Sequence, residues 1–263
     1  LSMQFSFDLI SDINKVNPNA WDCQPTSLYC VVAGNVHHDR LQLKHTLEKV
    51  ATQYSTVMYI DGHLDHVNHI HDLDTSCMDL KRELSDLTNV VYLHDNCVIV
   101  DKLAFLGANC WWTFDWNPEV EQEQMMQWLE AEWQCRGANL HKIIDRAHED
   151  ANYLGASLQK LQQVDQIQEI VMISNTVPLK QIVSNDPAFK NKYDMGIQGS
   201  SLIERVLKLD IHKKVRTWCF GHYPYSFDER INGIRYCCNS LINRPPYPLK
   251  IVTNVTSSRQ VRS

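Results

Sequence analysis

Short apolar segments that end in polar residues recur along the chain and predict the strands of a sheet. The first three lie at residues 3–10, 27–33 and 56–60, and an amphipathic helical pattern over residues 41–50 separates the second segment from the third. The order strand, helix, strand is typical of a parallel sheet whose functional residues collect at the carboxyl ends of the strands. We therefore expect an α/β protein with its chemistry in the loops that follow these strands.

The strand pattern continues in the second half of the chain, where a helical region interrupts it. Short apolar strands are predicted within residues 90–116 and at residues 170–173. Helical periodicity is clear over residues 125–133 and 140–161, and a further helical stretch covers residues 200–209. The apolar stripe of the long helix is most simply explained as a face that packs on a core.

Polar residues stand where several of the predicted strands stop. Asp12 follows the first strand, Asn35 follows the second, and Gly221 with His222 follows the last apolar strand. A carboxylate in this position suits a metal ion. Asp is also common in turns, and taken alone a turn is the simpler explanation for Asp12. Beyond His222, an Asn-Gly pair at residues 232–233 predicts a hairpin turn.

Four large aromatic residues follow the strands of the first half. They are Trp111, Trp112, Phe114 and Trp116. They form either a stacking platform for a base or ring, or part of a core. We favour the core, because large aromatic side chains mostly bury their area in packing.

Residues 218–240, WCFGHYPYSFDERINGIRYCCNS, resemble the last signature of the calcineurin-like metallophosphoesterases, in which Gly-His-x-His at a strand end supplies two metal ligands. The earlier strand ends resemble the other motifs of that family, in the same order and with comparable spacing. The resemblance implies a four-layer α/β/β/α sandwich. It also implies a single domain over residues 1–263, with a helical insert at about residues 117–163 and a polar tail at about residues 253–263.

The resemblance implies seven ligand positions, most of which carry a different residue here. They are Asp12, Asn14, Asn35, His63, Asn175, His222 and Pro224. Only Asp12 and His222 keep the residue of the family, and a neutral amide at Asn35 replaces a carboxylate that bridges two metal ions. Leu64 replaces the His that protonates the leaving group, and Asp65 follows it as the family's acid. A dinuclear centre therefore lacks the bridging negative charge on which it depends.

A group of histidines after the third strand is the best candidate for a relocated metal site. His63, His66, His69 and His71 alternate with Asp residues, and a helix would place His63 and His66 on neighbouring turns. The alternative is a solvated polar helix face, which we favour because no thiolate accompanies the group.

Composition narrows the classes of partner. The chain of 263 residues is 44% apolar, with a net charge of -6 and a pI near 6.0, so we expect no general binding to nucleic acid or to anionic membrane. No long apolar segment or targeting motif is visible. Nine scattered Cys residues favour buried thiols in a reducing compartment over a disulfide framework. We expect a cytoplasmic protein.

Two hypotheses on function follow from the replaced ligands. The first is a catalytically inactive relative that binds a protein partner or a phosphorylated small ligand through its former cleft or its helical insert. The alternative is a metal-dependent hydrolase of phosphomonoesters or phosphodiesters with an altered one-metal site. We expect no cofactor, or Mn, Fe or Zn at low occupancy, and self-association stays open. The metal-ligand candidates are Asp12, His63, His66 and His222.

Overall fold

The computed structural model describes residues 4–184, 186–189 and 191–256. The strands are β1 (Gln4–Ile10), β2 (Tyr29–Ala33), β3 (Thr56–Ile60), β4 (Val90–Tyr92), β5 (Cys97–Val100), β6 (Leu103–Ala108), β7 (Glu169–Ser174), β8 (Val215–Phe220), β9 (Ser226–Ile231), β10 (Ile234–Asn239) and β11 (Leu249–Thr256). The α-helices are α1 (Arg40–Ala51), α2 (Leu73–Glu83), α3 (Gln122–Glu132), α4 (His141–Leu161), α5 (Lys180–Ser184) and α6 (Ser201–Leu207). Short 3₁₀ helices cover Pro18–Ala20, His63–Asp72, Pro187–Phe189 and Asp194–Ile197.

Two sheets form the centre of the molecule, in the strand orders β11-β1-β2-β3-β4 and β5-β6-β7-β8-β10-β9. Their inner strands run parallel, and the edge strands β11, β5 and β9 run antiparallel to their neighbours. Ser11 and Ser240 form a parallel bridge between β1 and β10, so the two sheets meet at the carboxyl ends of these strands. The Asn239 side chain strengthens the junction by donating to the Leu9 carbonyl at 2.9 Å.

Helices cover the outer face of each sheet, and apolar side chains fill the space between the sheets. Phe7, Phe105 and Ile173 are among the residues packed between them. Leu47 of α1 packs on the outside of the first sheet, and Leu158 of α4 packs on the outside of the second. The layers are therefore helix, sheet, sheet and helix, which confirms the predicted four-layer sandwich.

The predicted helical insert contains α3 and α4, which pack around the aromatic residues that follow β6. Trp111, Trp112 and Phe114 are buried together with Met125 of α3 and Ile143 of α4. Trp116 is buried in the core next to the second sheet. The aromatic residues are thus packing residues, as the sequence favoured, although Trp112 also borders the site described below.

Two elements differ from the sequence predictions. The histidine-rich segment His63–Asp72 is a 3₁₀ helix with a kink at His69, not a regular helix. The predicted polar tail from about residue 253 begins inside β11, which pairs with β1. Ile251, Thr253 and Val255 alternate on the buried face of that strand. Residues 257–263 of the tail lie outside the described part of the chain.

Two further predictions concern cysteines and membranes. All nine Cys residues are free thiols, and eight of them are buried. Within the described ranges, no helix has both the length and the apolar character that crossing a membrane requires.

Candidate functional site

A cleft opens where the carboxyl ends of β1, β2, β8 and β10 meet. It has a volume of about 280 Å³, and its lining residues are Asp12, Asn14, Asn35, His63, Leu64, His222, Tyr223, Pro224, Ser240 and Ile242. Asn175 is fully buried next to His63. The structure therefore brings all seven positions of the predicted ligand set to one place.

Three residues of the cleft have left-handed backbone conformations. The φ angles are 53° at Asp12, 56° at Asn35 and 56° at His222. Each of these residues comes shortly after the end of a strand, so the chain turns sharply there and directs these side chains toward one another. Strained backbone of this kind is typical of functional sites, and Asp and Asn tolerate it better than most residues.

Asp12 is the one carboxylate among the residues that line the cleft, and its hydrogen-bond donors are neutral. It accepts hydrogen bonds from the Ser11 hydroxyl at 2.8 Å, the Asn35 amide at 2.9 Å and the backbone N–H of His222 at 3.2 Å. Burial raises the pKa of Asp12 from its usual 3.8 to about 6, against the opposing effect of these hydrogen bonds. Asp12 is therefore ionised at neutral pH in a buried place.

Asn35 uses both ends of its amide to join two loops. Its Nδ2 donates to Asp12 at 2.9 Å, and its Oδ1 accepts the backbone N–H of Leu64 at 3.1 Å. The amide thus makes a hydrogen bond to the neighbouring carboxylate, where a second carboxylate would repel it. This contact leaves the cleft with a single negative charge.

The two imidazoles of the cleft are neutral. Their ring centres lie 4.5 Å apart, and both rings contact Trp112. Burial lowers the pKa of His222 to about 4, and its Nε2–H donates to the Ile197 carbonyl at 2.9 Å. Burial, and then the neighbouring His222, hold the pKa of His63 well below its usual range. Neither ring supplies positive charge at neutral pH.

Asn175 and His63 carry the atoms best suited to a metal ion. Asn175 Nδ2 donates to the Ala33 carbonyl at 2.9 Å. Its Oδ1 and His63 Nδ1 are both buried, and these two side chains interact with each other. A neutral oxygen and nitrogen can ligate one cation. Together with one carboxylate they do not fit two dications, which need a bridging acid.

Asp65, predicted in the former cleft, has a structural role outside it. The carboxylate accepts backbone N–H groups of Val36 at 2.7 Å, His37 at 2.9 Å and Gly62 at 2.8 Å, and the Tyr59 hydroxyl at 2.8 Å. Burial raises its pKa to about 6 despite these bonds. Asp65 therefore holds the loop after β2 against the loop after β3.

His66, a candidate for metal binding, also points away from the cleft. It is fully buried, with Nε2 2.8 Å from Asp61 and Nδ1 2.8 Å from the Ser76 hydroxyl. Asp61, His66 and Cys77 form the one group in the described chain whose ligand atoms have metal-binding proximity. The Arg40 guanidinium lies 3.3 Å from His66, so an added cation would meet a positive charge there. We interpret the group as an internal polar network.

Sequence reasoning missed two residues that shape the cleft. Ser240 lines it directly after β10, and Trp133 stacks on His63 at 5.7 Å. The position of Ser240 at the end of a strand was a usable signal. Nothing local indicates that Trp133, which directly follows α3, reaches the strand ends of the sandwich.

Comparisons with known proteins show the fold. No family model matches the chain, and no curated protein matches its sequence. Among 28 matching chains of solved structures is the phosphopantetheinyl hydrolase from Mycobacterium tuberculosis, at 14% identity and a TM-score of 0.70 over 94% of this chain and 92% of that one. GAP50, the anchor in the inner membrane complex of Plasmodium, matches at 13% identity and a TM-score of 0.50 over 91% and 72%. The fold is that of a metallophosphoesterase-type α/β sandwich.

Proposed function

We propose that this protein is a binding module built on the metallophosphoesterase fold, acting through its cleft or its helical insert without hydrolysing phosphoesters. The observation that carries the proposal is the 2.9 Å hydrogen bond from the Asn35 amide to Asp12. The neutral Asn35 amide stands where a dinuclear centre depends on a charged carboxylate. An in-line phosphoryl displacement relies on two ions to stabilise the attacking and leaving oxygens.

The surroundings of Asn35 support the same proposal. Leu64 carries no proton that could be donated to a leaving group, a contribution that is worth roughly 10²–10⁴ in rate. Pro224 lines the cleft where the family has a ligand His. The similar solved structures include both a hydrolase and an anchor protein, so the fold is compatible with either kind of role.

Metal content tests the proposal directly. We expect protein purified without chelators to contain less than stoichiometric Mn, Fe, Ni or Zn by elemental analysis, because Asn14, Asn35, Asn175 and Pro224 replace four ligands of the family. We also expect hydrolysis of generic phosphomonoesters and phosphodiesters with added Mn²⁺ to stay at background. Two equivalents of transition metal per chain contradict the proposal, as does hydrolysis that disappears in His222→Ala. Hydrolysis that survives this substitution comes from a contaminant.

A one-metal phosphoesterase is the second candidate. The adjacent, buried His63 Nδ1 and Asn175 Oδ1 favour it, because both atoms could ligate one cation together with Asp12. The bound ion would supply Lewis-acid activation, and the chain's residues would hold it and the substrate. One equivalent of metal, together with hydrolysis that depends on His222, would select this candidate.

A further inference from the structure

A second cavity lies on the outside of the six-stranded sheet, at the opposite ends of β8 and β10 from the cleft. Leu207 and Lys208 at the end of α6 line one side of it, and Arg216 of β8 and Ile234 of β10 line the other. We call this cavity the α6 groove. Its volume of about 490 Å³ is in the range of roughly 300–1,000 Å³ that is usual for small-molecule sites. No residue of the cleft lines it, so the two sites are separate.

The apolar part of the α6 groove is open to a ligand. Leu179, Leu207 and Ile234 line it, and each of them is only half-buried. Val215 and Tyr236 line it as well and belong to the core on the outer face of the sheet. Half-exposed apolar side chains over a core gain from being covered by another apolar group. This part of the groove therefore suits the apolar body of an organic molecule.

Three exposed cations line the same groove. They are Lys208, Lys213 and Arg216, and no salt bridge among the described residues involves any of them. Glu169, a buried carboxylate near Arg216, lines a neighbouring cavity and is shared with Arg230. Because the whole chain has a net charge of -6, three cations in one groove differ from the average charge of its surface. They favour an anionic ligand.

The two carboxylates of the α6 groove do not cancel this charge. Asp210 is buried, and its oxygens accept the backbone N–H groups of Lys214 and Val215 at 3.0 Å each. Glu204 is exposed and lies near Tyr236, which is three residues of β10, or roughly 10 Å, from the hairpin turn. The exposed charges of the groove are therefore three cations and one carboxylate, and the carboxylate lies away from the turn.

We propose that the α6 groove binds a small organic anion with an apolar body. The anionic group would lie between Lys213 and Arg216, next to the hairpin turn, and the apolar body would cover Leu207 and Ile234. This site is additional to the cleft and does not depend on whether the cleft holds a metal ion.

Calorimetric titration with matched probes tests the proposal. Hexanoate, 1-hexanol and hexylammonium share a six-carbon chain and differ in charge, and chelator-treated protein prevents hexanoate from binding to a metal ion. At about pH 7 and low ionic strength, we expect hexanoate to bind one-to-one, at least about fivefold more tightly than the alcohol, with hexylammonium weaker than both. About 1 M salt should remove most of the difference between hexanoate and 1-hexanol. Hexanoate affinity equal to that of 1-hexanol, hexylammonium or inorganic phosphate would overturn the proposal.

Variants on exposed positions locate the site. Lys213→Gln combined with Arg216→Gln should lower hexanoate affinity about fivefold and leave 1-hexanol affinity unchanged. The matched control, Lys49→Gln combined with Lys81→Gln, removes the same charge from exposed positions of α1 and α2 and should leave hexanoate affinity unchanged. Ile234→Ala should weaken the binding of both probes. Unchanged hexanoate affinity in the groove variant, or an equal loss in the control, would contradict the site.

Discussion

Asp12 is ionised at neutral pH although its surroundings offer it only neutral hydrogen bonds. Burial therefore dominates over the stabilising donors, and the carboxylate holds a proton more firmly in the folded protein than in the unfolded chain. This has a measurable effect on the pH dependence of stability. It also sets the chemistry of the cleft, since a ligand that neutralises Asp12 removes the penalty.

The pH dependence of unfolding should reveal the raised pKa of Asp12. Because the folded value of about 6 lies above the usual 3.8, the folded state binds more protons between these values. Stability is then greatest below the lower pKa and falls as the pH rises through the upper one, by on the order of 3 kcal/mol between about pH 4 and pH 7. We expect the free energy of unfolding of wild type relative to Asp12→Asn to decrease by this amount in urea titrations. A difference that does not change with pH would contradict the assignment, and Asp22→Asn should follow wild type throughout.

Individual residues show what the sequence could and could not predict. The order of motifs was enough to expect Asp12, Asn35 and His222 in one place, because the ends of neighbouring parallel strands meet. The direction of His66 was not predictable, because it depends on Asp61 and on a 3₁₀ helix whose turns place side chains differently from an α-helix. The protonation states of His63 and His222 were not predictable either, since the residues that bury these imidazoles are distant in the chain.

At the scale of elements, the loop after β2 is held close to its neighbours, and Gly34 makes this possible. It has a φ of +80°, and a Cβ there would lie 2.6 Å from Asn175 Nδ2 and 2.9 Å from the backbone nitrogen of Gly62. Gly233, in the β9–β10 hairpin, has nearly the same φ of +85° but open space around it. A comparison of the two positions therefore separates the cost of left-handed backbone strain from the cost of crowding by neighbouring atoms.

Alanine substitutions at the two glycines should differ in cost. Gly233→Ala introduces only the left-handed strain, and we expect it to destabilise the protein by about 1–2 kcal/mol. Gly34→Ala adds a clash with buried groups and should cost about 1–3 kcal/mol more. Chemical denaturation of both variants measures the difference. Equal costs would mean that the loop after β2 moves freely enough to relieve the clash, so that Gly34 does not fix the shape of the cleft.

Elements with strong periodicity were predictable, and those defined by pairing were not. The long helical stripe became α4, and the Asn-Gly pair became the turn between β9 and β10. The strand β11 was mistaken in part for a polar tail, because Thr253 and Asn254 are polar. The alternation of apolar and polar residues in β11 identifies it as a strand only when its pairing with β1 is known.

At the scale of the whole molecule, the cleft should make stability independent of divalent metal. We expect the melting temperature of wild type to be nearly unaffected by chelator or by Mn²⁺, because Asn35 leaves no second charge for an ion to neutralise. An upward shift of several degrees with Mn²⁺ in wild type would favour the one-metal candidate.

Asn35→Asp should reverse this behaviour. It places a second carboxylate at hydrogen-bond distance from Asp12, so we expect a loss of about 2 kcal/mol or more at neutral pH without metal. Mn²⁺ should restore the loss by mass action, which a thermal melt with and without the ion measures. Asn152→Asp, on an exposed position of α4, should show neither effect. If the melting temperature of Asn35→Asp does not respond to Mn²⁺, the residues at the other ligand positions do not bind the ion even with a second carboxylate present.

The bridge between Ser11 and Ser240 couples the cleft to the global unfolding of the protein. Ser11 donates its backbone N–H to the Asn239 carbonyl at 3.0 Å and accepts the N–H of Leu241 at 2.9 Å, so these amides connect the two sheets. Exchange of their hydrogens with solvent requires the sheets to separate, an opening that ranks with the rarest fluctuations of a domain. A ligand that contacts the loops after β1 and β10 together would therefore hold the two sheets to each other and slow the opening of the entire sandwich.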